Sequence, residues 1–314
     1  MGLFRRRHDA HLFSSNLTGS SQQPPEWTSA PEAPHQHGLY NEATDQDYID
    51  GQRFFEDGSN PREPPRLLPS DAVERINRLG CKAWGLESPT FYYPYSQSRF
   101  SGFVQNLSDT KGGSGLIDVK TNAQCEDVCL LSNLPIMAGL YDIQGKTGVY
   151  FEVLIEKMNG VIAIGTACRP YPSFRLPGWH RDSAGFHLDD LRKFFENSDG
   201  GQDYQGIGIT RIKTMDTVGC GYEFSTGSLF YTYNGARLPS AFIAYVPRQN
   251  YDVFATIGVA GECEFKVNFG GDIFRWKEGN EWAWRVEGHI GRLGTMYGGL
   301  DEELPSYNEV RRMQ

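Results

Sequence analysis

The sequence predicts an all-β fold, an antiparallel β-sandwich with short flanking helices and disordered termini. Three observations carry this. Apolar residues between about 100 and 270 recur with period two, as in Val149, Phe151, Val153 and Ile155 set against Glu152 and Glu156. Asn234-Gly235 separates two such runs and is the strongest short-range hairpin signal. Aromatic residues make up 13% of the 314 residues and glycines number 36, a mix that suits short strands and tight turns.

Taken in order, residues 1–65 are expected to be a largely disordered, Pro-rich region. Prolines recur between 21 and 65 among Ser, Gln, Glu and Asp, and such a segment buries too little apolar surface to offset its ordering entropy. "QDYIDGQRFF" is the exception, because Phe54 and Phe55 suit a short helix or a docked segment. The sandwich and its N-terminal extension are expected over 66–290, and a flexible tail over 291–314. Ser70 reads as an N-cap, Val73, Ile76 and Leu79 as one helical face, and Gly80 as the residue that ends it. Glu63 with Leu67 and Leu68 has the form of an acidic dileucine sorting signal; packing of both leucines on the domain is the preferred reading. "VYFEVLIE" then reads as a half-buried strand and "VIAIGTAC" as a central one. "DDLRKFFEN" reads as a helical interruption. "TVGCGYEF", "LFYTY", "YDVFATIGVA" and "CEFKVNFG" complete the strand series.

Composition excludes several function classes. A net charge of -9 argues against a general nucleic-acid binder. Six cysteines without a C-x-x-C pair imply a reducing compartment, no disulfide framework and no zinc site. No stretch approaches ~18 apolar residues, so no transmembrane helix is expected in this chain. "MGLFRRRHDAHLF" lacks the apolar core of a signal peptide.

Four blocks in order, "GVYFEVLIE", "IAIGTACRPYPSFRLPGWHRDSAGFHLDD", "DTVGCGYEFSTGSLFYTYNG" and "ATIGVAGECEFKVNFG", resemble the successive blocks of a SPRY domain. "PGWHRDSAGFHLDD" is similar to the corresponding run of the Ran-binding-protein-M branch. The resemblance implies a bent sandwich of two antiparallel sheets, with binding done by loops at one end. The flanks "GLYNEA", "LPIMAGLYD" and "KEGNEWAWRVEGHIGRLG" resemble the fungal SPRY proteins of the endosome and vacuole. Their yeast members are adaptors that bring a WW-domain HECT ubiquitin ligase to membrane proteins sorted into multivesicular bodies. They carry an N-terminal membrane anchor and Pro-Pro-x-Tyr (PY) motifs. The resemblance therefore implies an adaptor peripheral to an endosomal or vacuolar membrane; a scaffold subunit of a multi-subunit ubiquitin ligase is the alternative.

Two candidate binding sites follow. Leu304-Pro305-Ser306-Tyr307 keeps the second proline and the tyrosine of the PY motif, and a preformed polyproline II segment suits a WW groove. Tyr307 with Val310 also has the Tyr-x-x-apolar form that clathrin adaptors bind. The loop holding Arg169, Tyr171, Arg175, Trp179 and His180 concentrates the side chains typical of interface hot spots. Arg169, Tyr171 and Arg175 are expected to face a partner. Trp179, Ser183, Gly185, His187, Asp189 and Asp190 match the family's common pattern and read as structural. No catalytic residue, cofactor or metal site is expected. His180, Asp182 and Ser183 lie too close in one loop to form a triad, and His187 with Asp189 reads better as a satisfied structural histidine than as a metal site.

Overall fold

Two long strands organise the molecule. The computed structural model describes residues 44–294 except 57, 59, 90–98, 108–113, 200 and 246–250. Helices α1 (Asp45–Glu56) and α2 (Ser70–Leu79) precede strands β1 (Gly102–Asn106), β2 (Leu116–Thr121), β3 (Val128–Leu131), β4 (Gly148–Cys168), β5 (Ser183–His187), β6 (Arg192–Phe195), β7 (Gln202–Asp203), β8 (Thr217–Glu223), β9 (Ser228–Tyr233), β10 (Ala236–Phe242) and β11 (Val253–Asn268). β4 and β11 pair antiparallel along nearly their whole lengths. Around the first half of β4 the strand order is β1-β2-β11-β4-β8-β9-β10. Around its second half it is β3-β11-β4-β5-β6-β7. The two layers thus share their central strands, which bend from one into the other.

A bulge makes this possible. Lys157 faces Glu264 and Ile155 faces Phe265, so Glu156 is one extra residue in β4. Before it, the odd-numbered Val149, Phe151, Val153 and Ile155 join the main core; after it, the even-numbered Ile162, Ile164 and Cys168 do. An added residue inverts side-chain parity. Here the inversion keeps the apolar side of β4 on the shared core through the bend.

Several expectations are corrected. The first half of β4 is buried on both faces, because Phe274, Trp276 and Trp284 pack over Tyr150 and Phe230. Glu152 lies beneath this cover at 5% exposure, bonded to Tyr150 Oη at 3.1 Å and to Arg275 N at 3.1 Å. "DDLRKFFEN" is not helical: Arg192–Phe195 is strand β6, paired to β5. Leu191 (φ 60°) and Glu196 (φ 55°), both left-handed, bracket it, and left-handed residues interrupt a right-handed helix. The excepted segment "QDYIDGQRFF" is helical as expected, within α1 (Asp45–Glu56), and docks on the domain through Phe55 and Asp47. Pro69, not Ser70, is the N-cap of α2, with no side-chain cap bond, while Gly80 (φ 59°) ends the helix as expected. Leu68 packs on the core but Leu67 is exposed. All six cysteines are free and buried. Among the described residues, no helix is long and apolar enough to cross a membrane.

Candidate functional site

The segment between β4 and β5, residues 169–182, is stapled from within. Tyr171 Oη donates to Leu176 O at 2.7 Å, and Trp179 N donates to the same carbonyl at 3.2 Å. Gly178 N donates to Ser183 Oγ at 2.9 Å, and that hydroxyl donates to His180 O. Pro177 and Gly178 press the loop onto β5: a Cβ on Gly185 would lie 2.2 Å from Pro177 O. Leu176 and Trp179 cover Val161 and Ala163 of β4.

This geometry corrects the expected partner surface. Tyr171, Arg175, Trp179 and His180 are all buried, Arg175 completely. The Arg175 guanidinium lies 4.7 Å over the Trp179 ring, and none of its nitrogens has a hydrogen-bond partner among the described residues. Aromatic and arginine content marks interface hot spots and loop cores alike; burial tells them apart. The residues read as structural behave so where they can be followed. His187 Nε2 meets Pro177 O at 3.0 Å, and Asp190 accepts from Arg192 N at 3.0 Å. Burial pushes His187 down to about 4, and burial with Arg175 and Arg181 pushes His180 down to about 3, so both are neutral near pH 7. Ser183 bonds the His180 carbonyl instead of its ring, and Asp182 takes Arg62 Nε at 2.6 Å. The three residues do not converge.

Arg169 differs. Its side chain is 29% exposed, lies 4.2 Å over the Phe254 ring, and reaches Glu87 Oε2 at 2.7 Å. It borders a groove of about 420 Å³ lined by Phe54, Pro61, Glu63, Glu87, Pro170 and Tyr171 among others. The backbone of 60–66 forms one wall, held by Glu63 N to Arg169 O at 3.1 Å and Arg66 N to Asp252 Oδ2 at 3.0 Å. The mouth carries both charge signs and a partly apolar floor, suited to an extended peptide. A larger cavity of about 1010 Å³, missed in the sequence, lies at the bend of β4 and β11 and is lined by Asp47, Arg99, Asp127, Asn159, Gly160 and Asp189 among others. Burial pushes the Asp127 and Asp189 carboxyls up to about 7. Asp127 had no local signal: it becomes buried only when α1 and the β4–β11 bend close around it. The motif Leu304, Pro305 and Tyr307, with Val310, lies outside the described residues.

A family model described as SPRY domain matches residues 148–272. Protein ssh4 of Sclerotinia sclerotiorum is 31% identical over 265 residues, covering 79% of this chain and 46% of that protein. Protein ssh4 of Neurospora crassa is 32% identical over 269 residues, covering 79% and 48%. The Ran-binding proteins 9/10 homolog of Drosophila melanogaster is 34% identical over 192 residues, covering 60% and 18%. The chain spans less than half the length of these relatives. A solved human SPRY domain is 23% identical, with a TM-score of 0.40, covering 54% of this chain and 99% of that one.

Proposed function

Because the chain carries a SPRY domain over residues 148–272, a protein-interaction module, we propose that it works as a non-enzymatic adaptor. The Arg169 groove takes a segment of a membrane-protein cargo. Leu304, Pro305 and Tyr307 engage the WW domains of a HECT ubiquitin ligase. Holding ligase and cargo on one chain raises their effective concentration to about mM, and ubiquitin transfer follows without new chemistry at this domain. The setting is the cytosolic face of an endosome or vacuole, and the outcome is multivesicular-body sorting. The observation that carries the reading is Arg169, a half-exposed arginine stacked on Phe254 at the mouth of a groove with both charge signs. No cofactor takes part.

Proximity labelling in cells tests both halves separately. Arg169→Ala is expected to lose cargo and keep the ligase; Tyr307→Ala is expected to lose the ligase and keep the cargo. Both variants keep the thermal melting point of the parent. Undiminished ligase labelling by the Tyr307 variant would sink the adaptor reading.

A further inference from the structure

Helix α1 is docked with its polar side inward. Asp47, Asp50 and Gly51 are buried against the domain, while Tyr48 and Ile49 stand 40% and 43% exposed. A helix that belongs to a core does the reverse. The surface beneath it presents arginines, Arg99 and Arg181, with Glu126 and Asp127 beside Arg99 and Asp182 beside Arg181. Arg99 lies 5.4 Å over Phe174 and pairs with Asp47. Arg181 lies 4.0 Å over Phe55, and the Phe55 ring sits 5.2 Å from His180. Arg175 is wholly buried close by, without a hydrogen-bond partner among the described residues. A buried guanidinium without a hydrogen bond is costly, and nearby carboxylates relieve it, here Asp127 of the domain first and Asp47 of α1 after it. α1 carries Asp45, Asp47, Asp50 and Glu56 against a single Arg53.

The fit depends on one position. A Cβ on Gly51 would lie 2.1 Å from His180 Nε2, so only glycine lets the helix sit this close. The chain after α1 is fastened independently, by Arg181 Nη2 to Asn60 O at 3.0 Å, Arg62 to Asp182 and Glu63 N to Arg169 O. One bond, Asn60 Nδ2 to Phe54 O at 2.9 Å, ties the last turn of α1 to this segment, so α1 can lift with 60–66 in place once that bond opens.

We propose that α1 is the intramolecular occupant of a docking surface for an acidic helix. A partner segment with the spacing Asp-x-x-Asp-Gly-x-x-x-Phe, read here at Asp47, Asp50, Gly51 and Phe55, binds the Arg99–Arg181 surface when α1 leaves. Charge complementarity names the occupant: an acidic helix with a glycine at its contact point and an aromatic residue one turn later. The surface adjoins the Arg169 groove, which Phe54 of α1 also lines, but its test uses neither cargo nor ligase.

The probe is a fluorescent synthetic peptide of residues 44–57, titrated by anisotropy into the full chain and into its Gly51→Leu variant. Hydrogen exchange first confirms that Gly51→Leu frees the α1 amides and leaves those of β4 and β11 protected. The peptide is expected to bind the variant at least about tenfold more tightly than the parent, because the tethered competitor is gone. Raised salt weakens that binding, and an Asp47→Asn peptide binds less tightly. Equal affinity for both chains, or no binding to a variant whose core remains protected, overturns the proposal and makes α1 a fixed part of the domain. If light scattering finds dimers that exchange α1 between copies, the occupant is a second copy and the partner assignment falls.

Discussion

Asp127→Asn is expected to stabilise the protein in a pH-dependent way. Burial holds the folded carboxyl at about 7, although Arg175 and Arg99 pull it down. An unfolded aspartate titrates near 3.8. Between those values the folded chain holds a proton that the unfolded chain has released, so stability falls as pH rises through the window. A separation of about 3 pH units, at ~1.4 kcal/mol each, sets an upper limit of roughly 4 kcal/mol above pH 7. Solvent at the exposed edge of this half-buried side chain brings that to roughly 2 kcal/mol. Asparagine removes the titration while keeping the shape. Urea denaturation followed by tryptophan fluorescence should give the variant roughly 2 kcal/mol over the parent at pH 8 and less than about 1 kcal/mol at pH 4. His180 and His187 act in the opposite sense. Their folded values lie below the ordinary 6.5, so they cost stability as pH falls below 6.5. Asp189, also held at about 7, acts in the same sense as Asp127, so two carboxyls offset two histidines: the parent should be nearly flat between about 4 and 6.5, and Asp127→Asn should expose the histidine slope. A gain that is the same at every pH, or a loss at pH 8, refutes the reasoning and means that Asp127 is ionised against Arg175.

Two further variants probe the scaffold. Gly185→Ala drives a methyl into Pro177 O and should cost about 3 kcal/mol by chemical denaturation, with the loop's peptide carbonyl as the unyielding neighbour. Trp284→Ala removes the lid over Tyr150, Phe230 and Trp276 and should cost roughly 3–5 kcal/mol. Fluorescence quenching of Trp276 by acrylamide would rise with it; an unchanged quenching constant argues against that lid.

Alternation made the strands legible because each inward side chain meets a core residue on the facing layer. Asn234-Gly235 was legible for a local reason, since Asn234 (φ 49°) and Gly235 (φ 84°) both take the left-handed conformation of the hairpin turn. What failed depended on distant chain. Glu152 reads as solvent-facing until residues 274–284 fold over it. Lys193, Phe194 and Phe195 carry no helix-breaking residue, and only β5 and the left-handed residues on either side decide for a strand. β4 and β11 each read as two segments, because the polar residues at the bend look like a turn. In the candidate site, the loop's aromatic and arginine residues were found by composition. Composition alone did not separate Arg169, at a groove mouth, from Arg175, inside the fold.

The pairing of β4 with β11 also sets a schedule for biosynthesis. Cys168 N finds Asp182 O early, but the other edge of β4 must wait for Val253, roughly 85 residues after Cys168, before its ladder with β11 can begin. At about 5–20 residues per second that interval is on the order of 5–15 s. During it the most apolar strand of the protein, "VIAIGTAC", is outside the ribosome with one long edge unpaired. Such an edge is a template for another chain. The nascent protein is thus expected to be a chaperone client until Asn268 emerges, and a stop codon anywhere before β11 should yield an aggregate instead of a smaller folded domain.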